Sequence, residues 1–296
     1  MNSNGGPTMI STFAGCGGSS LGYKMAGYRV LAAVEFNHVA AETYRANFPS
    51  TPVLERDIRG LSAEELMGVA GVSRGELDVL DGSPPCQGFS TAGKREFADP
   101  RNDLAFEFVR LLGGLRPRAF VMENVSGLVK GKMKWIFAEI TRALKRAGYE
   151  VRCKLLDAAW FGVPQCRKRL IWIGTDREYG ISPLLPRPSM NRACPLREII
   201  PDALGSRSMR INRWKSASEP SAAVTCAGIG GMIRDGNGIR NPTVAELKKL
   251  CSFPPDFELP AVKSHIYHLL GNSVPPLMMK AVAETIKTEI LARCAN

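Results

Sequence analysis

Short runs of apolar residues alternate along the chain with stretches whose apolar positions recur at helical spacing. The first pattern predicts buried strands and the second amphipathic helices. "MISTF" predicts a strand, closed by the glycine-rich turn "AGCGG" and followed by a helix start in "SSLGYKMAG". "YRVLAAVEFN" predicts a second strand that ends in an acid, and "AAETYRANF" a helix. "LDVLDGSPP" reads as a strand running into a proline pair, "DLAFEFVRLLGGLRP" as an amphipathic helix and "RAFVMENVSGL" as a strand with a polar end. A helix over "WIFAEITRALKRAG" and strands over "YEVRCKLLDA" and "RLIWIGT" complete the series. The alternation predicts an α/β fold, a Rossmann-like doubly wound parallel sheet with helices on both faces.

The pattern breaks after Gly174. From Tyr179 to Asn241 the chain is rich in Pro, Gly, Ser and Arg, and helical periodicity returns only at "TVAELKKL" and "PPLMMKAVAETIKTEILARC". These shifts predict a large domain over 1–176 plus 260–296, with a smaller irregular domain over 177–259. A chain of 296 residues with 45% hydrophobic content can bury a core of that size. The formal net charge of +11 adds an expected partner, because it suits a polyanion, nucleic acid first. Eight cysteines show no C-x-x-C spacing and only three histidines are present, so no metal site is expected. The start "MNSNGGPTMISTF" lacks a basic segment before an apolar run, and no apolar stretch approaches the roughly 18 residues of a membrane span. A cytoplasmic protein with reduced thiols, away from membranes, is expected.

Candidate chemistry gathers at predicted strand ends, where an open α/β sheet binds ligands. Gly15, Gly17 and Gly18 let backbone approach a ligand closely, but their spacing is not the G-x-G-x-x-G of dinucleotide sites. It points instead to a nucleoside-type cofactor without a pyrophosphate. Glu35, ending the next strand, stands where such folds hold ribose hydroxyls; Phe36 offers a face to a purine, and Asp57 an acceptor to an adenine amino group. In "DGSPPCQGFS", Pro84 and Pro85 fix the backbone before Cys86, while Gly88 frees it afterwards. Glu123 in "VMENV" ends another strand on the same rim, and "QCRKRL" adds Arg167 and Arg169. A cation beside a thiol favours the thiolate, so Cys86, Glu123 and Arg167 supply nucleophile, acid and cation around one pocket.

Taken together and in order from Thr12 to Pro276, "TFAGCGGSSLG", "SPPCQGFS", "ENVSGL", "QCRKRL" and "GNSVPP" resemble the motifs of the DNA cytosine-5 methyltransferases of bacterial and phage type. The resemblance implies a class I methyltransferase fold with a small target-recognition domain. It implies methyl transfer from S-adenosylmethionine, leaving S-adenosylhomocysteine, to C5 of a cytosine flipped out of double-stranded DNA. The Cys86 thiolate would attack C6 and make C5 nucleophilic. Glu123 would hydrogen-bond the N3/N4 edge, Arg167 would hold the base through O2, and Arg169 would stabilise developing charge. Around the cofactor the resemblance implies Phe13, Gly15, Gly17, Gly18, Phe36 and Pro84, with Glu35 on the ribose, Asp57 and Ile58 on the adenine, and Asn272 and Val274 completing the pocket. Residues 87–102 resemble the loop that closes over the flipped base. DNA contacts are implied for Gln87, Ser90, Gln165, Arg207, Arg210, Arg213, Lys215 and Val224. The implied enzyme works as a monomer and suits a restriction-modification setting, while the sequence leaves open whether a cognate restriction endonuclease accompanies it.

The chain departs from the family pattern in its small domain. "RSMRINRWK" is a basic cluster around Trp214 that suits phosphate contacts. Ala223-Val224 stands where a Thr followed by a branched apolar residue is common, and Lys248, Lys249 and Cys251 fill positions usually occupied otherwise. These departures bear on target choice, and the recognised DNA word is not encoded in any residue pattern. Two other readings stand beside the first. A tRNA cytosine-5 methyltransferase is disfavoured by Gln87 after the Pro-Cys pair. A catalytically silent DNA-binding relative is disfavoured by intact Cys86, Glu123, Arg167 and Asn272.

Overall fold

The computed structural model describes residues 5–85, 104–207, 213–226 and 232–294. The first half runs β1 (Thr8–Thr12), α1 (Gly18–Met25), β2 (Arg29–Glu35), α2 (His38–Asn47), β3 (Val53–Glu55), α3 (Ala63–Ala70) and β4 (Val79–Gly82). It continues with α4 (Leu104–Leu115), β5 (Ala119–Val125), α5 (Lys134–Arg146), β6 (Tyr149–Asp157), β7 (Gln165–Cys166) and β8 (Lys168–Asp176). Seven strands form one sheet in the order β3-β2-β1-β4-β5-β8-β6. The pairs from β3 through β5 are parallel, but β8 is antiparallel to both β5 and β6. The expected parallel sheet is thus present, with β8 as its reversed strand. Only residues 158–167 join β6 to β8, fewer than the dozen or more that a parallel crossover needs, so β8 has to run back along its neighbour.

Side chains of successive strand residues leave the sheet on opposite faces. Ile10, Leu80, Phe120 and Met122 pack with Leu66, Phe108, Leu112, Ile136 and Ile140, so α3, α4 and α5 cover one face. Met9, Val79, Ala119 and Val121 pack with Tyr23, Met278, Met279 and Val282 on the other. The helix that supplies those methionines, α8, is reached after the small region.

That region contains β9 (Gly205–Arg207), β10 (Trp214–Ser216), β11 (Ser221–Ala222), β12 (Met232–Asp235) and β13 (Gly238–Arg240), then α6 (Val244–Leu250), α7 (Lys263–Asn272) and α8 (Pro276–Ile286). A second, antiparallel sheet has the order β10-β9-β12-β13, and β11 pairs with β7. The small sheet has no core of its own. Ile233, Ala217 and Val224 pack into a cluster with Leu247, Phe253, Leu270, Tyr44 and Ala14, so helices α2, α6 and α7 share its interior. Arg240 bridges Asp235 and Glu246, and Thr243 and Glu246 form a reciprocal cap at the start of α6. Among the described residues no helix is long and apolar enough to cross a membrane.

Candidate active site

The sheet order changes direction between β1 and β4, the place where an open α/β sheet leaves a crevice above its strand ends. The glycine turn after β1 lies there. Phe13 and Gly15 take positive φ of 53° and 56°, and Gly17, with φ of 96°, is the N-cap of α1. Gly18 is needed for a close approach: a Cβ on it would meet Ser273 Oγ at 1.9 Å and the Val274 carbonyl at 2.5 Å. The Asn272–Pro276 junction between α7 and α8 is thereby pressed onto the glycine turn. Glu35 fixes the mouth of the turn, accepting from Gly15 N–H at 2.7 Å and from Asn37 N–H at 2.8 Å. Next to it Phe36 is 73% exposed, an open aromatic face. Asp57 accepts from Arg59 N–H and pairs with the Arg59 guanidinium, which holds its carboxyl below the usual range, while Ile58 is buried. Asn272 is exposed, with Nδ2 3.3 Å from His268 Nε2, and Val274 is buried between α1 and α8. Cys16, inside the turn, is no candidate nucleophile, because burial pushes its thiol up to about 12.

Cys86, Gln87 and Ser90 lie outside the described residues, but the segment leading to Cys86 does not. Pro84 is buried, and its carbonyl accepts from Asn124 Nδ2 at 3.1 Å. Asn124 thus ties the end of β5 to the chain two residues before Cys86. It stands inside the quoted "ENVSGL", yet sequence reasoning gave it no role; its neighbour Glu123 drew the attention. Glu123 is 6% exposed and Arg169 Nε lies 2.7 Å from its Oε1. The antiparallel pairing produces this contact: Glu123 faces Ile171 and Val125 faces Arg169, so Arg169 stands diagonally from Glu123 on one face. Burial pushes the Glu123 carboxyl up, against the pull of Arg169, Arg167 and the Ser83 hydroxyl.

Three residues are placed otherwise than the sequence suggested. Arg167 is 2% exposed and donates to the Val224 carbonyl at 2.9 Å and the Gly271 carbonyl at 2.6 Å. Its guanidinium joins the two parts of the chain instead of opening onto a base. Burial, aided by the like charge of Arg169, pushes it down to about 9, which leaves it a cation at neutral pH. Gln165 is fully buried, donating to the Leu250 carbonyl at 2.6 Å and accepting from Val224 N–H at 3.1 Å. Val224 is buried in the shared cluster. The side chains of Gln165 and Val224 therefore serve the seam; a buried amide must find partners, and this one has found them in main chain.

Of the other expected DNA contacts, Arg210 lies outside the described residues and Arg213 is exposed. Lys215 is turned inward, its ammonium 2.8 Å from Cys166 Sγ. Arg207, Trp214 and Met232 are in register across three strands, and Arg234 follows on the same face. The Arg234 guanidinium sits 4.3 Å from the Trp214 ring centre and that of Arg207 5.1 Å, a stack that holds two planar cations in place. Arg234 is exposed and was not singled out from the sequence, since nothing in "MIRDGNG" shows which ring it would meet.

Comparison with known proteins bears on these observations. Residues 7–221 and 204–288 match the family described as C-5 cytosine-specific DNA methylase. The Type II methyltransferase M1.HphI of Haemophilus parahaemolyticus is 37% identical over 94% of this chain and 86% of its own length. The Type II methyltransferase M.HindV of Haemophilus influenzae is 32% identical, covering 94% of this chain and 95% of the relative. Among solved structures, a mutant of Spodoptera frugiperda DNMT2 superposes with a TM-score of 0.73 at 22% identity, over 95% of this chain and 99% of that one, a likeness of fold.

Proposed function

The chain belongs to the C-5 cytosine-specific DNA methylases, and from that premise we propose how its own residues carry the methyl transfer to cytosine C5 in DNA. The observation that carries the proposal is the buried Glu123–Arg169 pair beside the anchored Pro84 carbonyl, at the strand ends where the chain turns toward Cys86. The Cys86 thiolate adds to C6 of the flipped cytosine, which leaves C5 electron-rich. Glu123, whose burial favours the protonated acid, hydrogen-bonds N3 as negative charge moves there. Arg169 is the cation at the base, and Arg167 holds the seam on which the pocket is built. Loss of the C5 proton then expels Cys86 and restores the ring.

S-adenosylmethionine is the proposed cofactor and supplies, when bound, an electrophilic methyl group on a sulfonium. The residues fit a nucleoside of that kind. The Glu35 carboxylate is already aligned by two main-chain N–H groups for ribose hydroxyls, Phe36 exposes a ring for the adenine, and Gly15 has open space where a side chain would stand. Gly18→Ala is expected to weaken S-adenosylmethionine binding about tenfold or more in calorimetric titration. The new methyl group meets the Val274 main chain, and overpacking of this sort costs about 1–3 kcal/mol. An unchanged Kd would separate the α7–α8 junction from the cofactor site.

On the DNA side, Arg213 and the Trp214 stack of Arg207 and Arg234 are proposed to meet phosphates or base edges of the duplex. The Type II names of the relatives support a restriction endonuclease as companion. The experiment is incubation with tritiated S-adenosylmethionine and duplex DNA, with a parallel duplex carrying 5-fluorocytosine. Label in DNA and a covalent adduct that survives denaturation are expected. Label in tRNA alone would support the tRNA reading, and binding without adduct a silent relative.

A further inference from the structure

One buried acid has no part in the chemistry above. Asp81 is 1% exposed, on the strand that leads to Cys86, and it faces the same side of the sheet as Glu123: it is level with Val121, and Glu123 is two residues further along β5. Its Oδ2 accepts from Ser19 Oγ in the first turn of α1 at 2.6 Å, and its main-chain oxygen accepts from Thr12 Oγ1 at 3.0 Å. Ser11 and Tyr23 bring two more buried hydroxyls to the carboxyl, but neither these nor Oδ1 makes an aligned hydrogen bond. Ser83, two residues beyond Asp81, places its hydroxyl beside Glu123. Two polar spots, Ser83 beside Glu123 and Ser19 on Asp81, thus stand in an otherwise apolar layer of Met9, Val79, Val121 and Met279.

We propose that Asp81 is a positioning residue for methyl transfer: it ties the nucleophile's strand to the first turn of the cofactor helix and biases Glu123, on the same buried face, toward its protonated form. The assignment rests on the role given above to Glu123. A buried carboxyl that shares a face with another acid holds its proton to higher pH than an isolated one. Burial and the charge of Glu123 push Asp81 up to about 7, against the pull of Ser19, Ser11 and Tyr23. The groups facing the pair are those hydroxyls, Tyr44 from α2, Ser83, and the guanidinium groups of Arg169 and Arg167; α8 presents only apolar side chains. The spare hydroxyls suit this role, because a rotating O–H can donate to a carboxylate or accept from a carboxylic acid.

The sign follows. As pH rises Glu123 loses its proton and with it its donor, and methylation slows. Asp81→Asn keeps the shape and the Ser19 contact but removes the like charge, so Glu123 alone gives up its proton at lower pH. In single-turnover methylation of duplex DNA the alkaline limb is expected to move down by about half a pH unit or more, with S-adenosylmethionine Kd within about twofold of wild type. Ser19→Ala withdraws a hydrogen bond that favours the Asp81 anion, and is expected to move the limb the same way; the double variant should move it no further than Asp81→Asn. Superimposable profiles for folded wild type, Asp81→Asn and Ser19→Ala would overturn the proposal. Glu123→Gln separates this from the premise: if that variant keeps the wild-type limb, Glu123 is not the titrating group and the reading of Glu123 fails first.

Discussion

Cys86→Ser is expected to lower single-turnover methylation by about three orders of magnitude or more while duplex affinity changes only a few-fold. The hydroxyl is close to the thiol in shape but is a far weaker nucleophile at neutral pH, so addition to C6 fails while the surroundings of the base remain. The main chain before it is held independently of the sulfur: Asn124 fixes the Pro84 carbonyl, and Thr12 fixes that of Asp81. The same variant should form no adduct with 5-fluorocytosine DNA. Gel-shift titration and adduct formation, measured side by side, check the result. Loss of affinity in step with activity would make Cys86 a structural residue, and an adduct formed without it would assign the nucleophile elsewhere.

Arg167→Ala should act on a different quantity, stability. It strands two buried carbonyls, on Val224 and Gly271, and removes the stem packed between them. An unsatisfied buried polar group costs about 1–3 kcal/mol, and removing a buried charge returns part of that, which leaves a loss of roughly 2–4 kcal/mol. For a chain of this size that is about 5 °C in melting temperature. Arg167→Lys should fall between, since an ammonium lacks the planar fork that reaches two carbonyls at once. Arg169→Ala makes the contrast: it takes away the cation beside Glu123 and should slow methylation much more than it lowers the melting temperature. If Arg167→Ala melts as wild type and loses only turnover, the base contact belongs to Arg167 after all.

Much of the fold was legible because strand and helix periods differ, and the runs from "MISTF" to "RLIWIGT" all meet strands or helices in the structure. Helix α3 was overlooked although Ser62 and Glu65 mark its start; Ser62 Oγ accepts from Glu65 N–H. Strand direction is not written in periodicity, so the reversal of β8 was missed, though the short connection before it carried the information. The positions of Glu35 and Glu123 at strand ends were legible, because each closes an apolar run. The different partners of Arg167 and Arg169 were not. Both are arginines two residues apart in one motif, and which one opens onto the pocket depends on where distant carbonyls arrive. Gln165 and Val224 were misplaced for the same reason.

The seam that Arg167 closes is made to main chain on the far side, and a carbonyl oxygen is supplied by every residue type. Sequence drift at position 224 leaves that attachment untouched so long as the replacement fits an apolar interior. The small region can therefore change in sequence around this joint without loosening its hold on the seven-stranded sheet.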